Sequence, residues 1–247
     1  MMVDKSAAAQ REGKNVKKIV LIGDSIRLGY DVLVKDAYRG VADVYFTKEN
    51  NCFAEYVLRF LHEWKSEMQC GDDVDCVHWN VGAWDTLTLY DDGPLTPIGV
   101  YKQYLKRICK RLRLLFPKAK IIFATSTPMD EARFLTPKVY VRRNKDVEAY
   151  NKAAVSVVKK YGILINDLYG LMQDKPLDYH SDVAHFYTRK AAALLTEKVC
   201  SVIDETLEIK AGRPNYDFWF DGTESYEGGA WLAKRASGAQ SATTLGV

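Results

Sequence analysis

Ile19-Val20-Leu21-Ile22-Gly23-Asp24-Ser25 is the stretch whose reading decides the fold. Its apolar run is short and largely β-branched, and Gly-Asp stops it at once. That combination reads as a buried strand followed by a turn rather than as a piece of helix. A strand with no polar alternation is covered on both faces, which places it in a parallel sheet between layers of helices.

Working outward, a helix follows the turn through about Lys35, and Val44-Tyr45-Phe46 is a second strand. Phe53, Tyr56, Val57, Phe60, Leu61 and Trp64 recur at helical spacing. Val74 to Trp79 reads as a third strand, and Val100 to Phe116 as a long amphipathic helix closed by Pro117. Lys120 to Ala124 is a fourth strand, ended by Thr127-Pro128. Arg143 to Tyr161 is helical with Gly162 as its stop signal, Ile163 to Ile165 is a short fifth strand, and Phe186 to Leu207 is the last strong helix. Strands alternating with helices in this way predict an α/β chain folded as a three-layer α/β/α sandwich on about five parallel strands. Ligands bind such sheets at the carboxyl ends of the strands. Ser25, Asn80 and the Thr125–Pro128 segment all fall there.

The predicted domain runs over residues 17–209, preceded by a flexible segment 1–16. Residues 210–247 form a C-terminal extension, packed in part through the aromatic stretch Asn215–Trp219; Gly228–Val247 is rich in small residues, and the last ~15 residues are expected to be flexible. With 247 residues, 47% of them hydrophobic, the chain can bury one good-sized core. A net charge of +3 is no footprint of a nucleic-acid partner, and the basic residues between Lys102 and Lys120 read as a solvated helix face. Five cysteines without a CxxC pair suggest neither a disulfide framework nor a zinc site and read as buried or incidental thiols; no cofactor is expected. The N-terminus lacks the apolar core of a secretory signal, and no stretch approaches a membrane span. As written, the chain is expected to be cytoplasmic, without a membrane partner.

Ser25 stands where a serine nucleophile is useful: at a strand end, opening a helix whose N-terminal N–H groups and field favour a developing anion. The same position suits an ordinary helix-capping serine. A nucleophile needs a base, and the chain has four histidines. His62 and His78 lie within a helix and a strand and read as structural. His185 lies three residues after Asp182, a spacing that lets the carboxylate hold one imidazole nitrogen and leave the other for Ser25. His180 is the reserve candidate.

Lys18 to Ser25 resembles the first block of the GDSL/SGNH hydrolases, and Asp182-Val183-Ala184-His185 resembles their last block. The resemblance covers about residues 17–207. It implies a flavodoxin-like sandwich and metal-free ester hydrolysis through an acyl-enzyme, with Ser25, His185 and Asp182 as catalytic residues. The G-x-S-x-G elbow of the α/β-hydrolases is absent, Arg27 standing where its second glycine belongs. The middle blocks depart from the common family pattern. After the second strand the chain reads Glu49-Asn50-Asn51-Cys52, without glycine; after the third it reads Asn80-Val81-Gly82-Ala83-Trp84-Asp85. The expected oxyanion donors are therefore the Asn80 side chain and the N–H groups of Ser25, Gly82 and Asn51 (or Cys52). This third block resembles that of a bacterial subset associated with carbohydrate esters. It implies a small-molecule or glycan ester, an acetylated sugar first, with a lysophospholipid or thioester, or glycan binding without turnover, as the rival readings. Trp84, Asp24, Arg27 and Tyr30 are the candidate substrate contacts. Asp24, Arg27, Tyr30 and Trp84 each have a structural alternative as well: hydrogen bonding at the turn for Asp24, packing for the others. Tyr90–Pro97 and Met129–Arg142 are candidate substrate loops.

Overall fold

A computed structural model describes residues 16–134 and 140–220. In chain order its elements are β1 (Lys17–Ile22), α1 (Ser25–Leu28), α2 (Asp31–Ala37), β2 (Ala42–Phe46), α3 (Ala54–Met68), β3 (Cys76–Asn80), β4 (Thr88–Leu89) and α4 (Ile98–Leu115). There follow β5 (Lys120–Ala124), α5 (Glu131–Phe134), β6 (Tyr140–Val141), α6 (Asn144–Val158), β7 (Leu164–Asn166), α7 (Leu168–Met172), α8 (Arg189–Leu207) and α9 (Tyr216–Phe220).

The predicted sandwich is present. Five strands form one parallel sheet in the order β2-β1-β3-β5-β7. The continuous apolar run of β1 has the expected cause. Side chains alternate across a strand, so Ile19 and Leu21 enter one core while Val20 and Ile22 enter the other. The first core is closed by Ile26 and residues of α2, α7 and α8, the second by α3, α4 and α6. The strand order reverses between β1 and β3, which opens a crevice at their carboxyl ends. Ser25 follows β1 and Asn80 ends β3, so the order of the sheet alone brings them to the same place.

Three details differ from the sequence reading. The single helix expected after β1 is two, α1 and α2, broken at Gly29-Tyr30. The last helix starts at Arg189 rather than Phe186, because Thr188 caps it by accepting the Ala191 N–H. A two-stranded ribbon, β4 against β6, ties the loop after β3 to the segment before α6. In the extension, α9 buries Tyr216, Trp219 and Phe220 against Leu28, Val32, Leu33 and Ala192. The small-residue-rich end and residues 1–15 lie outside the described residues. Among the described residues no helix is long and apolar enough to cross a membrane.

Candidate active site

The turn Gly23-Asp24-Ser25 is fixed from several sides. Gly23 is required by close approach: a Cβ there would meet Asn80 Oδ1 at 1.9 Å and Arg27 Cβ at 2.9 Å. Asp24 caps α1, its Oδ1 accepting the Ile26 N–H at 2.9 Å and the Asn80 Nδ2 group at 2.8 Å. Burial raises the Asp24 carboxyl above its ordinary range, against the pull of those two hydrogen bonds and of the Arg142 and His185 charges. Ser25 alone of residues 19–34 is partly exposed. As the first residue of a helix its N–H has no partner within that helix.

The second half of the site is the loop before α8. Asp182 Oδ1 accepts the N–H groups of Ala184 and His185 at 2.7 and 2.9 Å, and Oδ2 meets His185 Nδ1 at 2.8 Å. The ring therefore carries its proton on Nδ1 and turns Nε2 away from the carboxylate. Partial burial works to raise the Asp182 carboxyl, but the hydrogen bond and charge of His185, with the two N–H groups, overcome it and hold it at about 2. The loop closes on itself, since Ser181 N and Oγ both donate to the His185 carbonyl. Tyr187 links the two halves: its hydroxyl donates to the Ser25 carbonyl at 2.5 Å, and its ring stacks on His185 at 4.6 Å. Among the described residues neither the Ser25 hydroxyl nor His185 Nε2 has a hydrogen-bond partner. Contacts of this kind commonly tighten only around bound substrate.

Among the described residues His180 has no such carboxylate contact; it lies against Phe186 with ring centres 3.9 Å apart, and burial lowers its affinity for a proton. His78 is buried in β3 beside Tyr30 and Asn166, and burial holds it neutral, at about 3. His62 is exposed on α3.

The expected oxyanion donors divide. Asn80 is at the strand end, as expected, with one N–H of its amide bound to Asp24 and a second to give. Gly82 follows in a turn held by the Tyr101 hydroxyl, which donates to the Val81 carbonyl at 2.9 Å. Asn51 is a correction. Its N–H donates to the Gly23 carbonyl at 3.1 Å, and its Oδ1 accepts the Gly23 N–H at 2.8 Å. Both polar groups are spent on holding the turn, and Cys52 N–H is likewise bound, to Asn50 Oδ1 at 2.9 Å.

Three of the expected substrate contacts are also corrected. Asp24, Arg27 and Tyr30 are fully buried, and Asp24 and Arg27 bond to the turn and loops around Ser25. Arg27 is a strut: it donates to the carbonyls of Gly23 (3.1 Å), Thr47 (2.9 Å) and Glu49 (2.5 Å) and pairs with the buried Asp31. Trp84 is partly exposed, with the Arg142 guanidinium 5.5 Å from its ring centre. Asp85 is buried and bonds the first N–H of α3, at Ala54. Tyr187 is the residue the sequence reading passed over; its only signal there is a place two residues after His185. The described residues contain no cluster suited to a metal ion, and the five cysteines are free thiols.

Comparison with known proteins gives the fold a name. A lipase/acylhydrolase from Enterococcus faecalis superposes with a TM-score of 0.59 at 20% identity, over 80% of this chain and 100% of that one. A GDSL-like lipase from Bacteroides thetaiotaomicron gives 0.57 at 15% identity, over 76% and 88%. A variant of Axe2, an acetyl-xylooligosaccharide esterase from Geobacillus, gives 0.54 at 15% identity, over 76% and 94%. In sequence, the chain is 26% identical over 121 residues to the GDSL esterase/lipase WDL1 of Oryza sativa subsp. japonica. It spans about half the length of that curated relative, 46%. No family model matches the chain.

Proposed function

Because the chain takes its place among the GDSL/SGNH hydrolases by fold, we propose that it is a serine hydrolase of carboxylic esters acting through Ser25, His185 and Asp182. The observation that carries this reading is the Asp182–His185 pair, bonded at 2.8 Å and joined through Tyr187 to Ser25, the one partly exposed residue of the β1 turn. Ser25 Oγ attacks the ester carbonyl while His185 Nε2 takes its proton. The tetrahedral oxyanion is received by the Ser25 N–H, the second N–H of Asn80 and the Gly82 N–H, with the N-terminus of α1 behind it. The intermediate collapses, His185 protonates the departing alcohol, and an acyl group remains on Ser25. Water, deprotonated by His185, then releases the acid. Asp182 keeps the imidazole in the tautomer that leaves Nε2 free and stabilises the imidazolium.

A short acyl group on a sugar is the preferred substrate. Ile26, Thr127, Ala184, Phe186 and Leu195 line a small, largely apolar hollow beside His185, a size that suits a short acyl group. The partly exposed Trp84, in the loop after β3, suits a pyranose face, and the related fold of the acetyl-xylooligosaccharide esterase supports the same class.

The test is Ser25→Ala assayed on p-nitrophenyl acetate and with a fluorophosphonate label. Turnover should fall roughly 10⁴- to 10⁶-fold and labelling should vanish. A variant that still turns over and labels normally removes the triad. In a series of p-nitrophenyl esters from acetyl to dodecanoyl, rates should drop sharply beyond butyryl. A rise with chain length would instead point to a lysophospholipid or thioester substrate, and no turnover of any ester to a binding module.

A further inference from the structure

Tyr187 belongs to neither of the two sequence blocks, yet its side chain touches both halves of the site. Its hydroxyl donates to the carbonyl of Ser25 at 2.5 Å. Its ring lies against the His185 imidazole with centroids 4.6 Å apart and planes inclined by 19°. The edge of the same ring packs on Gly29, where an added Cβ would come within 2.8 Å of it. Tyr187 is itself held by its backbone N–H, which donates to Ser181 Oγ at 3.2 Å.

We propose that Tyr187 is a positioning residue that sets the geometry between Ser25 and His185. The inference rests on the triad reading above. Two physical gaps call for such a part. The hydrogen bond from His185 Nδ1 to Asp182 fixes the direction of the imidazole but leaves the ring free to rock about that bond; a ring stacked on its face removes this freedom. α1, which carries Ser25, is four residues long and cannot hold itself rigidly. The hydroxyl bond to the Ser25 carbonyl pins its first residue to the loop that carries the base. One rigid aromatic side chain thus joins nucleophile and base although they are 160 positions apart in sequence. The glycine at position 29 has the same origin, because the Tyr187 ring occupies the space a side chain there would need.

The experiment compares Tyr187→Phe and Tyr187→Leu with the wild type and with Ser25→Ala, on p-nitrophenyl acetate and in the rate of fluorophosphonate labelling of Ser25. Tyr187→Phe keeps the stacked ring and loses the hydroxyl bond; kcat should fall about 5- to 10-fold with KM unchanged within about twofold. Tyr187→Leu loses both contacts, and kcat should fall roughly 10²-fold. Labelling should slow by the same factors, and the Phe variant should keep the wild-type melting temperature. If the Leu variant does not fold, the Phe variant decides. Unchanged kcat and labelling in a folded Phe variant, or a rise in KM alone, overturns the positioning role. The two readings fail separately: an active Ser25→Ala sinks the triad, whereas an inactive Ser25→Ala beside fully active Tyr187 variants sinks only this inference.

Discussion

Arg27 carries a full positive charge and none of its side chain reaches solvent. It survives there because Asp31 neutralises it and three carbonyls, at Gly23, Thr47 and Glu49, take its donors. Those carbonyls lie on the β1 turn and on the segment after β2, so the arginine clamps the two loops that frame Ser25. Position in the sequence, two residues past Ser25, suggests a substrate contact; burial and its bonds decide for a strut. The pairing of Asp182 with His185 and the place of Ser25 at the β1 turn were legible because residue type and spacing carry them. Arg27, Asn51 and Tyr187 were not, since their roles depend on atoms brought close from elsewhere in the chain. The strut makes a prediction about stability rather than binding. Arg27→Leu leaves Asp31 buried without its charge partner, and losing one member of such a pair costs about 3–5 kcal/mol. Urea unfolding followed by tryptophan fluorescence should show a loss of that size, and the double variant Arg27→Leu/Asp31→Leu should recover much of it. A raised KM at unchanged stability would restore Arg27 to the substrate side.

At the scale of elements, the five sheet strands and the four long helices α3, α4, α6 and α8 were readable from β-branched runs and helical apolar spacing, because each buries a face long enough to leave a pattern. β4 and β6 were not: each is two residues long, and they pair across about fifty positions. What they achieve is local, holding Arg142 over Trp84 at the site's edge. The loop between β3 and β4 is also tied down by Asp85, whose carboxylate sits under the first turn of α3. Burial pushes this carboxyl up to about 7, against the hydrogen bonds from Thr96 and the Ala54 N–H. The sign follows directly. An unfolded aspartate titrates near about 3.9, so between that pH and about 7 the folded chain holds a proton that the unfolded chain has released. The stabilisation is complete below about 3.9 and drains away as the pH rises through 7. Asp85→Asn retains an oxygen for Ala54 and cannot ionise. Its melting temperature should change less than that of the wild type between pH 4 and pH 7, and it should gain on the wild type as the medium becomes more alkaline. Parallel melting curves for the two proteins across this range would show that Asp85 does not titrate there.

Across the whole molecule, the order β2-β1-β3-β5-β7 does the work of gathering the site, since it sets the ends of β1 and β3 side by side and leaves the loop before α8 to close over them. The C-terminal extension adds to this from behind. α9 turns Tyr216, Trp219 and Phe220 onto Leu28, Val32, Leu33 and Ala192, a small core that backs the helix bearing Ser25 and the first turn of α8. Asp36 secures it, accepting the Asn215 N–H at 2.7 Å and the Trp219 indole N–H at 3.3 Å. An aromatic cluster after a shift in composition was visible in the sequence; the surface it covers was not, because that surface is assembled from three separate elements. Trp219→Ala removes the largest side chain of this cluster and leaves a cavity at the margin of the molecule. The expected cost is about 3 kcal/mol, or a melting temperature lower by roughly 6–12 °C in a chain of this size. Ser25 itself is held by Asp24, Asn80 and Tyr187 rather than by α9, so kcat on p-nitrophenyl acetate should stay unchanged well below the transition. Calorimetry and ester kinetics on the same preparation separate the two effects. A variant that melts with the wild type would show that α9 lies on the domain without supporting it, and one that melts normally but loses kcat would place the extension in the positioning of Ser25.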